Sequence, residues 1–105
     1  MQNLRDESKG HYMLEITSIP VRNPDVIGKL TEDEAVLVMP QKGQVKVINE
    51  VGAFIWELID GKRNIRQIVE EVISQFDVDP VSAEADTLNF ISELHNREIV
   101  CFSAF

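Results

Sequence analysis

Cysteine is nearly missing from this chain: the 105 residues hold one, Cys101. No internal disulfide is possible, and with only two histidines, His11 and His95, a Cys/His zinc cluster is excluded. Long apolar runs are missing too. The longest uncharged stretches, Ala35–Gln41 and Ile99–Phe105, have seven residues each, far short of the roughly 20 that a membrane span needs. The opening residues MQNLRDESKG contain neither an apolar signal core nor an Arg-rich transit pattern, so a reducing, cytoplasmic setting is expected. Basic residues are scarce: 10 stand against 18 acidic ones, for a formal charge of −8. Nucleic-acid affinity rests on Lys and Arg neutralising phosphates, and anionic membranes attract basic clusters. Neither is an expected partner.

Catalytic signatures are absent as well. There is no glycine-rich dinucleotide or phosphate loop, no zinc-protease helix motif, no nucleophile elbow and no paired-cysteine motif. Cys101 sits in an apolar run, where cysteine behaves as a small hydrophobe. Asp77 and Asp79 suit cap and turn positions, and Glu32-Asp33-Glu34 suits a solvated turn. The chain is therefore read as a non-catalytic binding module, with no catalytic residue, no metal site and no cofactor.

What is present is one domain's worth of core: 44% of residues are hydrophobic and 27% charged. Residues 1–15 are expected to form a flexible N-terminal tail, and residues 16–105 a single domain. Pro20 and Pro24 suit an extended lead-in. Strand signals follow at Val26–Leu30, Ala35–Met39 and Gln44–Ile48. The last two are joined by Pro40-Gln-Lys-Gly43, which predicts a hairpin. At Asn49 the apolar period changes from two to 3.6. Val51, Phe54, Ile55, Leu58 and Ile59 make one helical stripe, stopped at Asp60-Gly61. Asn64 to Gln67 resembles a capping box and opens a second helix; Asp79-Pro80 opens a third, ending near Arg97. Ile99–Phe105 is an apolar tail suited to a short strand. Three strands followed by three helices make the fold class α+β.

The third helix carries surplus apolar surface. Phe90, Leu94, Thr87 and Ile91 are assigned to the core, yet apolar residues spread over roughly 220° of the wheel. Val81, Ala85 and Leu88, with Ser92 and His95 alongside, form a shoulder. That shoulder is either a binding surface or the seat of the lead-in segment or the C-terminal tail.

The run from Ile48 to Gly61, with Asn49, Gly52, Ile55-Trp56, Leu58 and Asp60-Gly61, resembles the PqqD family. Ile65, Ile68-Val69, Asp77-Val78-Asp79-Pro80 and Asp86, Leu88, Phe90-Ile91, Leu94 fit the same pattern, and the resemblance covers about residues 20–100. It implies a winged helix-turn-helix-like domain, a peptide recognition element. Such a domain binds the leader of a ribosomally made precursor peptide and presents it to a modifying enzyme, often a radical-SAM enzyme. In the family the leader adds as a strand beside the third strand and rests on the third helix, which is β-augmentation. Carried onto this chain, the groove uses Val45, Lys46 and Val47 from the strand, and Val81, Ala85, Leu88 and His95 from the helix. Many relatives have aromatic residues in that strand; Val45-Lys46 departs from them and leaves the side-chain preference open. Two other roles suit the architecture: an assembly or regulatory subunit binding a partner protein, and a DNA-binding regulator, which the acidic third helix disfavours. An open strand edge and an apolar shoulder fit a monomer or a weak dimer.

Overall fold

Alternation builds the sheet. In β3 (Ala35–Met39), Ala35, Leu37 and Met39 are buried while Val36 and Val38 are half-exposed; a strand of period two puts the first three on the core face. The strand is central, paired antiparallel with β2 (Ile27–Leu30) on one side and β4 (Gln44–Ile48) on the other. The β3–β4 register sets Ala35 opposite Ile48, Leu37 opposite Lys46 and Met39 opposite Gln44. The connection is a single 3₁₀ turn, Pro40–Lys42, closed by Gly43 at φ 62°, a left-handed conformation that glycine adopts without steric cost. The computed structural model describes residues 15–32 and 34–102. Apart from Glu15, the expected N-terminal tail lies outside them, as do residues 103–105.

Three helices follow, each opened by a side-chain cap. The Gly52 N–H donates to Asn49 Oδ1 (2.8 Å) at the start of α1 (Glu50–Leu58). At α2 (Ile65–Phe76) the capping box is complete: the Gln67 N–H donates to Asn64 Oδ1 and the Asn64 N–H donates to Gln67 Oε1, both at 2.9 Å. The Ser82 N–H donates to Asp79 Oδ2 at the start of α3 (Pro80–Asn96), with Pro80 in its first turn. Each cap satisfies a backbone donor that the helix leaves unpaired. Asp77 closes α2 in the left-handed region, so both flanking aspartates are cap residues.

Two short segments read as a lead-in and a tail pair with each other. β1 (Pro20–Arg22) and β5 (Val100–Phe102) form an antiparallel ribbon, Val21 opposite Cys101. The ribbon is pinned to the main body through Arg22, whose guanidinium lies 4.5 Å over the Trp56 ring and donates to the Trp56 carbonyl. Trp56 is buried in the core. Its indole reaches Gly28, where a Cβ would stand 2.7 Å from Nε1; glycine in β2 lets the ring approach the strand backbone. The core gathers Leu37, Ile55, Ile59, Ile65, Ile68, Ile91, Leu94 and Ile99, each at most 2% exposed. Ala83 joins the core, whereas Phe90, expected there, is only partly buried.

Candidate functional site

β4 ends the sheet. Its inner edge bonds to β3, and its outer edge pairs with no strand among the described residues. Backbone donors and acceptors along that edge are therefore open to an incoming extended chain. The lysine that stands among valines here turns inward. Lys46 lies on the core face, its side chain 14% exposed, and its Nζ reaches Glu93 Oε2 of α3 at 2.7 Å. This ion pair bridges strand and helix and fixes which flank of α3 borders the open edge. The Lys46 ammonium, hydrogen-bonded to Glu93, holds that carboxyl below its ordinary value of 4.5.

A group with a lowered native pKa adds stability above its unfolded value, and that contribution is lost as pH falls through the lowered native one. The difference in unfolding midpoint between the wild type and Glu93→Gln should therefore be constant near neutrality and shrink below pH 4.5. Because Glu93 is half-exposed, the difference should be small and should diminish with salt. Denaturation followed by Trp56 fluorescence measures it; a difference that grows on acidification would contradict the assignment.

Beyond the end of β4 the cleft deepens into a recess of about 330 Å³ between α1, the end of α2 and the first half of α3. Val51, Ile55, Phe76 and Phe90 supply apolar walls, and Asn49, Ser82, Asp86 and Thr87 supply polar points. Gly52 forms part of the wall because it has no side chain: a Cβ there would stand 3.1 Å from Phe90 Cζ and 3.2 Å from Ile48 Cβ. The arrangement can hold an extended segment by its backbone and receive a bulky apolar side chain at one end.

The residues singled out from the sequence fall into separate places. Val45 and Val47 lie on β4, with side chains on the outer face of the sheet, and Lys46 points to α3. Val81 and Ala85 are exposed on α3, Val81 at 77%. Leu88 and His95 do not border β4: they lie about 140° and 160° around the helix from Glu93, at 100° per residue. Leu88 packs against the core, and the His95 ring lies 4.9 Å from that of Phe102. The C-terminal strand thus covers part of the shoulder, and the flank of α3 beside β4 is formed instead by Asp86, Phe90 and Glu93. Read from the sequence alone, Phe90 belongs to the core, and Asp86 and Glu93 have no part in the groove. The one available signal was the basic residue in a valine-rich strand facing an acidic helix.

A three-stranded antiparallel sheet, three helices and an open strand edge beside the last helix make a winged-helix-like α+β domain. A family model described as coenzyme PQQ synthesis protein D (PqqD) matches residues 34–100. The chain belongs to the PqqD family. Among its relatives, a PqqA binding protein of Xanthomonas oryzae pv. oryzae (strain KACC10331 / KXO85) is 29% identical over 70 residues, 67% of this chain and 74% of the relative. A PqqA binding protein of Xanthomonas euvesicatoria pv. vesicatoria (strain 85-10) is 28% identical over 68 residues, 65% and 72% of the two chains. Among solved structures, TbiB1 in complex with the TbiA(beta) leader peptide superposes with a TM-score of 0.69 at 26% identity, covering 81% of this chain and 96% of that one. The PqqD truncation of Methylobacterium extorquens PqqCD, described as a stand-alone recognition element, shares the fold with a TM-score of 0.73 at 20% identity, covering 89% and 99%.

Proposed function

We propose that this protein binds the leader segment of a ribosomally synthesised precursor peptide and presents it to a peptide-modifying enzyme, taking no part in the chemistry. The observation that carries the proposal is the outer edge of β4, unpaired among the described residues and running beside α3. Relatives named PqqA binding proteins, and a similar fold solved with a leader peptide, support it. In this reading the leader adds as a fourth strand along Val45, Lys46 and Val47. Backbone hydrogen bonds supply affinity and side-chain pockets supply selectivity. Its side chains meet Asp86, Phe90 and Glu93, and the recess at the end of β4 takes one bulky apolar residue. The enzyme served is a radical-SAM protein in the reading taken from the family resemblance. Glu84, Asp86 and Glu93 against Arg97 give α3 the wrong charge for a DNA reader.

The test is a titration of isotope-labelled protein with synthetic leader peptides from short reading frames of the same genome, following amide shifts. Residues 44–48 and the Asp86–Glu93 flank are expected to move together. Shifts confined to α2 and the β1–β5 ribbon, with 44–48 silent, would overturn the assignment.

A further inference from the structure

The outer face of the three-stranded sheet has no covering element among the described residues. The register stacks two cross-strand rows on it, Ile27–Val38–Val45 and Lys29–Val36–Val47. Five of the six residues in these rows are β-branched aliphatics. Ile27 is 48% exposed, Val45 57% and Val47 68%. A sheet that packs on one side alone ordinarily turns polar residues to water on the other. Here the core face is already filled by Ala35, Leu37 and Met39, so the valines of the outer face do nothing for the core. Contiguous exposed apolar area of a few hundred Å² marks an interaction surface.

We infer that this face docks the peptide-modifying enzyme while the edge of the same sheet holds the leader; the inference rests on the peptide-delivery reading. Three observations select that occupant over a second copy of this chain. The first is size: a standard interface takes about 20–30 residues a side, and the two rows hold six, so they suit the apolar centre of a contact with a larger protein. The second is charge. Each copy carries −8, and the turns that flank the strands hold Asp25, Glu32 and Glu34 against Lys42, itself paired with Glu98, while the rows add Lys29. Two such faces repel, whereas an apolar surface rimmed by basic residues is complementary. The third is position. Val45 and Val47 stand on β4 itself, so a protein seated on them lies about one strand spacing, roughly 5 Å, from a peptide paired with that strand.

The test uses Ile27→Glu and Val36→Thr, neither of which touches the edge or the recess. A purified radical-SAM peptide-modifying enzyme from the same genome is titrated against fluorescently labelled wild type and variants. Leader affinity and sedimentation are measured on the same samples. Enzyme affinity should fall at least tenfold for Ile27→Glu, with leader affinity within about twofold and every sample monomeric. Val36→Thr, isosteric and β-branched, keeps the strand and should give a smaller loss in the same direction. Equal enzyme affinity for wild type and variants, or no enzyme binding at all, would overturn the inference. So would a wild-type dimer abolished by Ile27→Glu, which would make a second copy the occupant. Nuclear Overhauser contacts from Tyr12, Met13 or Leu14 to Ile27 and Val45 would give the face to the chain's own N-terminal segment. A wild type that binds the enzyme through this face but no leader would sink the peptide reading while leaving the docking face standing.

Discussion

Val45→Pro and Lys46→Pro are expected to fail in different ways. Successive residues of an antiparallel strand send their N–H groups to opposite edges. One of these two donors therefore faces β3 and the other faces the open side of β4. Proline on the β3 side removes a ladder hydrogen bond and should lower the melting midpoint; on the open side it is tolerated by the fold. The tolerated variant should keep wild-type stability and still lose leader affinity. The peptide carbonyl that would have met that donor is left unpaired, at about 1–3 kcal/mol, which is a loss of roughly fivefold to a hundredfold. Lys46→Pro also breaks the ion pair to Glu93, so Glu93→Gln is its control: the same pair is lost and the backbone edge is intact. Leader binding at wild-type strength by both proline variants, measured by calorimetric titration, would show that the peptide does not pair with this strand.

Gly52→Leu, at a buried position of α1, should lower stability clearly. Its Cβ would stand 3.1 Å from the Phe90 ring and 3.2 Å from Ile48 Cβ. The Ile48 atom cannot retreat, because it sits at the root of a side chain on a paired strand. The remaining atoms of leucine must then enter the recess or push Phe90 outward, and overpacking of this kind costs about 1–3 kcal/mol. Gly52→Ala makes the contrast. It meets the same two atoms, but alanine favours a helix over glycine by about 1 kcal/mol, so the two effects offset and the midpoint should barely move. Urea denaturation of the three proteins separates them. A leucine variant as stable as the wild type would mean that Phe90 swings freely, and that the recess is wider in solution than its walls suggest.

How much of this was legible in the sequence depends on the range of the interaction. Asn49, Asn64 and Asp79 were readable as caps because a cap is a contact three residues long. The period of Ala35–Met39 was readable because alternation is a property of the strand alone. Pairing of β1 with β5 was not, since Val21 and Cys101 meet across most of the chain and neither segment shows what it will meet. Nor was the rotation of α3. Its apolar arc contains enough residues for two faces, and only the Lys46–Glu93 bridge on one flank and Phe102 over His95 on the other decide between them. Leu88 and His95 were assigned to the groove for that reason and belong to the opposite side. Gly28 carried a signal without a meaning: a glycine in a short strand announces a close approach, but the partner, Trp56, is named by the tertiary structure alone.

The β1–β5 ribbon has a mechanical consequence. Pro20 and Phe102 are register partners, on the order of 5 Å apart as cross-strand pairs are, and the residues just ahead of Pro20 are tied to the first turn of α2, where the Ile65 and Arg66 N–H groups donate to the Ser18 and Ile16 carbonyls. Load applied from the N-terminal side would fall first on those two hydrogen bonds, and load applied through Phe102 on the three residue pairs of the ribbon, before any force reached the three-stranded sheet.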